Sequence, residues 1–396
     1  MYQVENKAVV EAIESDSRHF TAVLDFETFT ISDEQVGEIK LSFGSVQNET
    51  PSVGDVVSRQ AEIQVMEILE DANLEGKEFQ LYLYAVDLNY EMQSVRHNQL
   101  KVWADYTLES IKDKTLQELD TDYTPSVKKE LIPICKLTVL KVVDNVDYYT
   151  LTCSDRLHFA DKKYVSKLNY PTTSDKVMKE LCEQISAEAE VEQAESYLKS
   201  SDDSYLLSSE ESKLLTSTWQ FTIEEKPTQY SIRQMIGYIS AMRGKFAVTD
   251  RKGKIVQRWY NDGEVLNFDT QYIDEAEINA EKIYIKQLSC KDSGSAGDPS
   301  GRKMEFECPY ISDTPGHRRL NELWRMIMTD NTSFTYYPCT FTQRLGDPRL
   351  DLWDRFAYKD GFMLMLNMNY TFDGGLMLDV DSGGATDAEA EAVGTF

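Results

Sequence analysis

Histidine is scarce in this chain, four among 396 residues, and His19, His97, His158 and His317 show no H-E-x-x-H or other metal-ligand spacing. His317, in His-Arg-Arg at a helix start, reads as a solvated surface residue. The six cysteines (Cys135, Cys153, Cys182, Cys290, Cys308, Cys339) stand far apart with no C-x-x-C pair. That removes the usual zinc and thiol-redox signatures and leaves small buried apolar residues of a reducing compartment. No G-x-S-x-G elbow, P-loop or G-x-G-x-x-G is present, so neither metal nor cofactor is expected. No apolar run approaches the ~18 residues of a membrane span. Charges interrupt MYQVENKAVVEAIESD before a signal-peptide core forms, so synthesis and assembly in the cytoplasm without membrane insertion are expected. Positive charge is also short, 41 Lys and Arg against 68 Asp and Glu, a net −27. Nucleic-acid affinity comes chiefly from Lys and Arg displacing counter-ions, so DNA is expected only as a passenger along an acidic wall.

What the chain does contain is sheet-forming sequence, 41% hydrophobic and 11% aromatic with 22 tyrosines. Its length divides into roughly two to three domains. Residues 1 to 105 read as strands: Phe20–Phe29 and Phe79–Val86 alternate, Val56–Ile68 less cleanly, with turns at Val53-Gly54-Asp55 and Glu75-Gly76-Lys77. Leu108–Asp122 suits a short helix, and Ile134–Val143 and Tyr148–Ser154 are strands about a turn at Asp144–Asp147.

The texture changes near Tyr170. Thr172 and Asp175 are spaced as a capping box before Val177, Met178, Leu181, Cys182 and Ile185 at helical spacing. Ser186–Ser217, rich in Ser and Glu, reads as a long acidic loop. Ser231 and Gln234 form a second capping box, Gly244 ends that helix, and Lys245–Tyr260 is a hairpin turning at Asp250–Gly253. From Lys282 the chain returns to strands, Lys282–Cys290 and Arg302–Cys308, joined by a flexible SGSAGDPSG loop. A helix follows, with Pro315 in its first turn and Leu320, Leu323, Trp324, Ile327 and Met328 on one face.

Leu345–Leu378 reads as a meander. Gly346-Asp347-Pro348 turns the chain stiffly and a strand is expected after it. Asp360-Gly361 folds Phe356–Lys359 back on one long strand, Phe362–Phe372, with Leu364, Leu366, Met368, Tyr370 and Phe372 on one face. Asp373-Gly374-Gly375 leads to Leu376–Val380. Asp347, Asp351, Asp354 and Asp360 recur around the meander and could serve as paired carboxylates for glycoside hydrolysis, but turn and edge positions explain them more simply. Met363 and Met365 suit packing at a seam between subunits.

Three stretches carry a resemblance: GDP, a polar run, Trp353-Asp354, the Asp360-Gly361 hairpin and a closing Phe372–Leu376; SIRQMIGYISAMRGKFAVTDRKGKI; and Cys308-Pro309-Tyr310-Ile311 with the helix after it. Their order from residue 130 to 382 resembles the hub domain of phage tail tips, the family of baseplate hubs and of the amino-terminal region of tail-associated lysins. Trp353 departs from the glycine or polar residue common there. Gly346, Asp347, Pro348, Asp354, Gly374 and Gly375 are the signature positions.

The resemblance implies a β-rich α+β chain in which two tube-forming β-barrels (1–165 and 271–382) flank a small α/β insert (166–270) and precede a mobile or partner-ordered tail (383–396). It implies a structural, non-enzymatic homotrimer at the virion tail tip that adapts a six-fold tube to a three-fold tip. Partners would be the tail-tube or distal tail protein, the carboxy terminus of the tape-measure protein, and a spike, fibre or lysin. The rival readings are a tail-associated cell-wall hydrolase and a carbohydrate- or receptor-binding module, the latter motivated by the tyrosines and 5 tryptophans.

Overall fold

The computed structural model describes residues 1–16, 18–32, 35–44, 50–66, 73–87, 130–190, 221–268, 272–291, 293–311, 318–329, 332–383 and 390–393. The helix expected over Leu108–Asp122, most of the acidic loop, and His97, Pro315 and His317 lie outside them.

A helix the strand reading missed comes first, α1 (Lys7–Glu14). Val9, Ala12 and Ile13 bury one of its faces at helical spacing. Eight strands follow: β1 (Arg18–Asp25), β2 (Thr30–Ser32), β3 (Val36–Gly44), β4 (Val56–Val57), β5 (Arg59–Val65), β6 (Glu78–Asp87), β7 (Ile132–Asp144) and β8 (Tyr149–Ser154). Strict alternation sets their faces. In β5, for example, Ala61, Ile63 and Val65 are buried while Gln60 and Glu62 are exposed.

The insert comprises β9 (Thr172–Thr173), α2 (Ser174–Gln184), β10 (Glu188–Ala189), β11 (Thr222–Ile223), α3 (Ile232–Ala241), β12 (Phe246–Thr249) and β13 (Lys254–Arg258). Its core includes Leu157 and Ala160 and runs to Ile255. It also borrows β4, which pairs in parallel with β12. The turn before β4 sits tight on α3: a Cβ at Gly237 would lie 2.6 Å from the Gly54 carbonyl oxygen, and Gly54 has φ +89°.

The two expected capping boxes fare differently. At α3 both halves form: Ser231 Oγ accepts from the Gln234 N–H at 3.1 Å, and Gln234 Oε1 from the Ser231 N–H at 2.9 Å. At α2 the cap residue is Thr173 and its side chain makes no cap bond. There the Ser174 N–H donates to the Phe221 carbonyl at 2.7 Å, and Asp175 is drawn to Arg243. Ser231→Ala is therefore expected to cost about 1 kcal/mol, read as a lower denaturant midpoint with an unchanged slope; no shift would mean that the box is energetically idle.

The last unit holds β14 (Val265–Asn267), β15 (Ile273–Asn279), β16 (Ile283–Cys290), β17 (Gly294–Gly297), β18 (Arg302–Phe306), α4 (Arg318–Ile327), β19 (Phe334–Tyr336), β20 (Cys339–Gln343), β21 (Arg355–Tyr358), β22 (Gly361–Leu364), β23 (Asn367–Asp373), β24 (Gly375–Asp381) and β25 (Ala390–Val393). The loop expected to be flexible contains β17, which pairs with β16. No strand follows Pro348 directly; residues 346–354 form turns. The hairpin turns one residue early, on Lys359-Asp360, with Tyr358 opposite Gly361 and Lys359 at φ +48°. The long strand expected over Phe362–Phe372 is two, β22 in a three-stranded sheet and β23 in the large one. Part of the tail expected to be mobile forms β25 against β15.

Strands of both outer units lie in one twelve-stranded sheet, ordered β2-β1-β6-β7-β8-β5-β3-β23-β24-β20-β15-β25. Its two halves meet where Met368, Tyr370 and Phe372 of β23 stand opposite Phe43, Leu41 and Ile39 of β3. All six are buried, so the join lies in the core. Pro348 and residues of β3, β6, β7, β23 and β24 line one small apolar cleft, so strands apart in the sheet order share a core.

Candidate functional site

The signature turn Gly346–Asp354 is a clasp. Arg251, at the tip of the β12–β13 hairpin, reaches into it with its guanidinium almost fully buried. Nε donates to Asp351 Oδ1 at 3.1 Å, Nη1 to the carbonyls of Pro348 (2.8 Å) and Pro133 (2.9 Å), and Nη2 to that of Leu350 (2.8 Å). One side chain thus joins the insert, β7 of the first half and the meander turn. Asp347 accepts from the Arg349 N–H at 2.8 Å and Nη2 at 2.7 Å, and its carbonyl accepts from Tyr370 at 2.8 Å. Asp354, fully buried, accepts from the Met1 amino group (2.6 Å) and from the N–H groups of Glu264 and Asp351 (both 2.9 Å). Desolvation pushes its carboxyl pKa above the usual range against those bonds. Asp155 makes a second buried knot, accepting from Ser58 (2.7 Å), the Arg59 and Leu157 N–H groups (3.0 and 3.1 Å) and Thr249 (2.7 Å).

Gly346 packs under β24, where a Cβ would meet Leu378 Cβ at 3.1 Å, and Gly374 turns β23 into β24 at φ +70°. Gly375 has open space around its Cβ position, so packing does not require glycine there. Met363 and Met365 are fully buried within the single chain, so neither lies on a surface that another copy could touch. Asp347, Asp351, Asp354 and Asp360 are all engaged in hydrogen bonds or ion pairs. Asp360 accepts from Lys282 (2.8 Å) and Tyr337 (2.7 Å), and these, Lys282 foremost, bring its pKa down to about 2. Arg251 escaped the sequence reading because a polar D-R-K-G turn carries no local sign that its arginine points inward.

Across seven strands of the large sheet one face is mainly polar, with Met377 exposed among the polar residues. One register row runs Ser154, Gln60, Ser42, Asn369, Asp379, Thr342 and Glu275 across β8, β5, β3, β23, β24, β20 and β15. Flanking rows run Thr152, Glu62, Lys40, Thr371, Met377 and Asn367, Asp381, Thr340, Glu277. At ~4.8 Å per strand these rows span about 29 Å. Glu62, Glu275, Glu277, Asp379 and Asp381 oppose Lys40 alone in these rows. The face is hollowed where the halves meet, by a 490 Å³ groove lined by Lys40, Ser42, Gln60, Glu62, Thr152 and Asn369 among others.

No protein-family model and no curated protein matches this chain. Two solved structures are similar in outline: the 43 kDa tail protein of prophage MuSo2 from Shewanella oneidensis, and the tail protein from Neisseria meningitidis MC58. Each is 10% identical with a TM-score of 0.47, covering 91% of this chain and 95% of that chain.

Proposed function

We propose that this chain is a structural subunit of a phage or phage-like tail and, within it, the hub at the tip. Three copies form a ring beneath the tail tube. Each contributes two sheet halves joined at β3–β23, so that three chains match a six-fold neighbour above and a three-fold spike, fibre or lysin below. The bore is lined by the acidic outer face and is plugged before ejection by the carboxy terminus of the tape-measure protein.

The observation that carries this reading is a mainly polar face, about 29 Å across seven strands, on which the five carboxylates Glu62, Glu275, Glu277, Asp379 and Asp381 outnumber the two lysines, Lys40 and, where the Thr152 row continues onto β7, Lys141. A polyanion gains nothing by binding such a wall, and repulsion within the ~8 Å screening length keeps it centred. The order of the hub-like motifs adds to this, because the turn they mark is the clasp that fixes the insert against both halves.

Light scattering with negative-stain imaging tests it. A three-copy ring with an open centre, formed alone or on adding tail-tube protein, is expected. A chain that stays monomeric at every concentration and with that protein present overturns the reading.

A further inference from the structure

The insert carries a patch of the charge that the chain as a whole is short of. Residues 162–179 hold five lysines, Lys162, Lys163, Lys167, Lys176 and Lys179, against one carboxylate, Asp175, in a chain of net charge −27. All five are exposed, and Lys162 is tied to the Gln184 carbonyl. Carboxylates close to them in sequence are engaged: Asp161 pairs with Arg233 at 2.6 Å, Asp175 with Arg243, and Glu180 is buried. That leaves Glu183 as the exposed acid of α2.

The loop bearing the first three lysines is held in one shape. Glu180 accepts from Ser166 Oγ at 2.7 Å, from the Lys167 N–H at 2.6 Å and from the Tyr164 hydroxyl, and Gln184 Nε2 donates to the Val165 carbonyl at 2.9 Å. With its main chain tied to α2, Val165 is held outward, 60% exposed, and further along the loop Leu168 is half-buried and Pro171 exposed. Tyr170, also half-buried, donates to Ser166 Oγ at 3.0 Å, which keeps its ring beside these aliphatic groups.

We propose that this loop and the exposed side of α2 dock peripherally on an anionic bilayer, with Val165 and Leu168 among the headgroups and the lysines on lipid phosphates. A nucleic acid would use the lysines but gain nothing from aliphatic side chains. A bilayer uses both, because the aliphatic groups leave water while the ammonium groups stay at the charged surface, and a tyrosine ring suits the boundary between them. A loop already fixed before contact has less ordering to lose on docking. No described helix is long and apolar enough to cross a membrane, and this mode of binding needs none. The assignment stands or falls independently of the ring.

Full-length protein sedimented with phosphatidylcholine vesicles, with and without phosphatidylglycerol, tests it. Binding that requires phosphatidylglycerol is expected, and it should weaken as salt rises from ~0.1 M to ~1 M and the screening length falls from about 10 Å to about 3 Å. Each lysine at an anionic surface is worth about fivefold in affinity, so Lys163→Gln/Lys167→Gln/Lys176→Gln should bind roughly a hundredfold more weakly, while the matching arginine variant keeps its affinity. Val165→Ser, with every lysine in place, should weaken vesicle binding severalfold, which a purely electrostatic contact would not show. All four positions are exposed, so the unfolding midpoints should stay at the wild-type value. Absence of phosphatidylglycerol-dependent binding overturns the proposal, as does vesicle binding that either the triple glutamine variant or Val165→Ser leaves unchanged. Binding to a DNA duplex that the triple variant loses, without binding to vesicles, overturns it in favour of a polyanion site.

Discussion

Arg251→Met is expected to lower the free energy of unfolding by about 3–5 kcal/mol, the largest effect of any single substitution proposed for this chain. The guanidinium bonds Asp351 and three main-chain carbonyls in a site almost closed to water. Its removal leaves a buried carboxylate and three acceptors without donors, each costing the desolvation of an unmet polar group. Because Pro133, the β12–β13 hairpin and the meander turn all meet there, the loss is expected to separate units rather than soften one. Unfolding should then split into two transitions by circular dichroism and tryptophan fluorescence, with Trp353, beside Asp354 in the clasp turn, reporting the earlier one. The double variant Arg251→Met/Asp351→Leu should recover part of the loss, since the orphaned charge goes with its partner. A single unshifted transition in Arg251→Met would show that packing alone holds the three parts.

Reversing Glu62, Glu275, Glu277 and Asp381 to Lys is expected to turn an indifferent surface into a DNA-binding one. The net charge moves from −27 by four reversals of two units each to −19, still acidic overall, so any gain comes from the face itself. All four side chains are exposed, and such substitutions cost about 0.5 kcal/mol or less each in stability. If all four lysines reach phosphates, log affinity should fall against log salt with a slope of about −3.6. Fluorescence anisotropy of a short duplex read over a salt series measures this. In assembled particles the same change should slow ejection, because the passenger then adheres to the wall. Wild-type protein that binds the duplex with comparable affinity and salt slope would contradict an acidic passage.

Much of the local structure was legible in the sequence. Ser231 and Gln234 announced the α3 cap, Gly244 its end and Asp250–Gly253 the hairpin tip, because each acts within a few residues. The faces were legible too: Met368, Tyr370 and Phe372 point inward as alternation requires. Errors arose where a local signal competed with a distant partner. Thr172 lost its cap role to pairing with β11. β17 arose in a Gly/Ser loop because β16 offered an edge, and the expected strand Phe362–Phe372 broke because β22 and β23 serve different sheets.

By itself, then, the sequence determined which residues face inward, where the chain turns and how sparse its cations are, since those depend on period, glycine and composition. Only the tertiary structure decided that both halves share one sheet through β3–β23, and that Arg251 is a buried clasp rather than a solvated turn residue. The physical reason is that strand period chooses a face but not a neighbouring edge. Likewise, whether a charge is buried depends on the donors and acceptors that distant segments bring to it, here Pro133, Pro348 and Leu350.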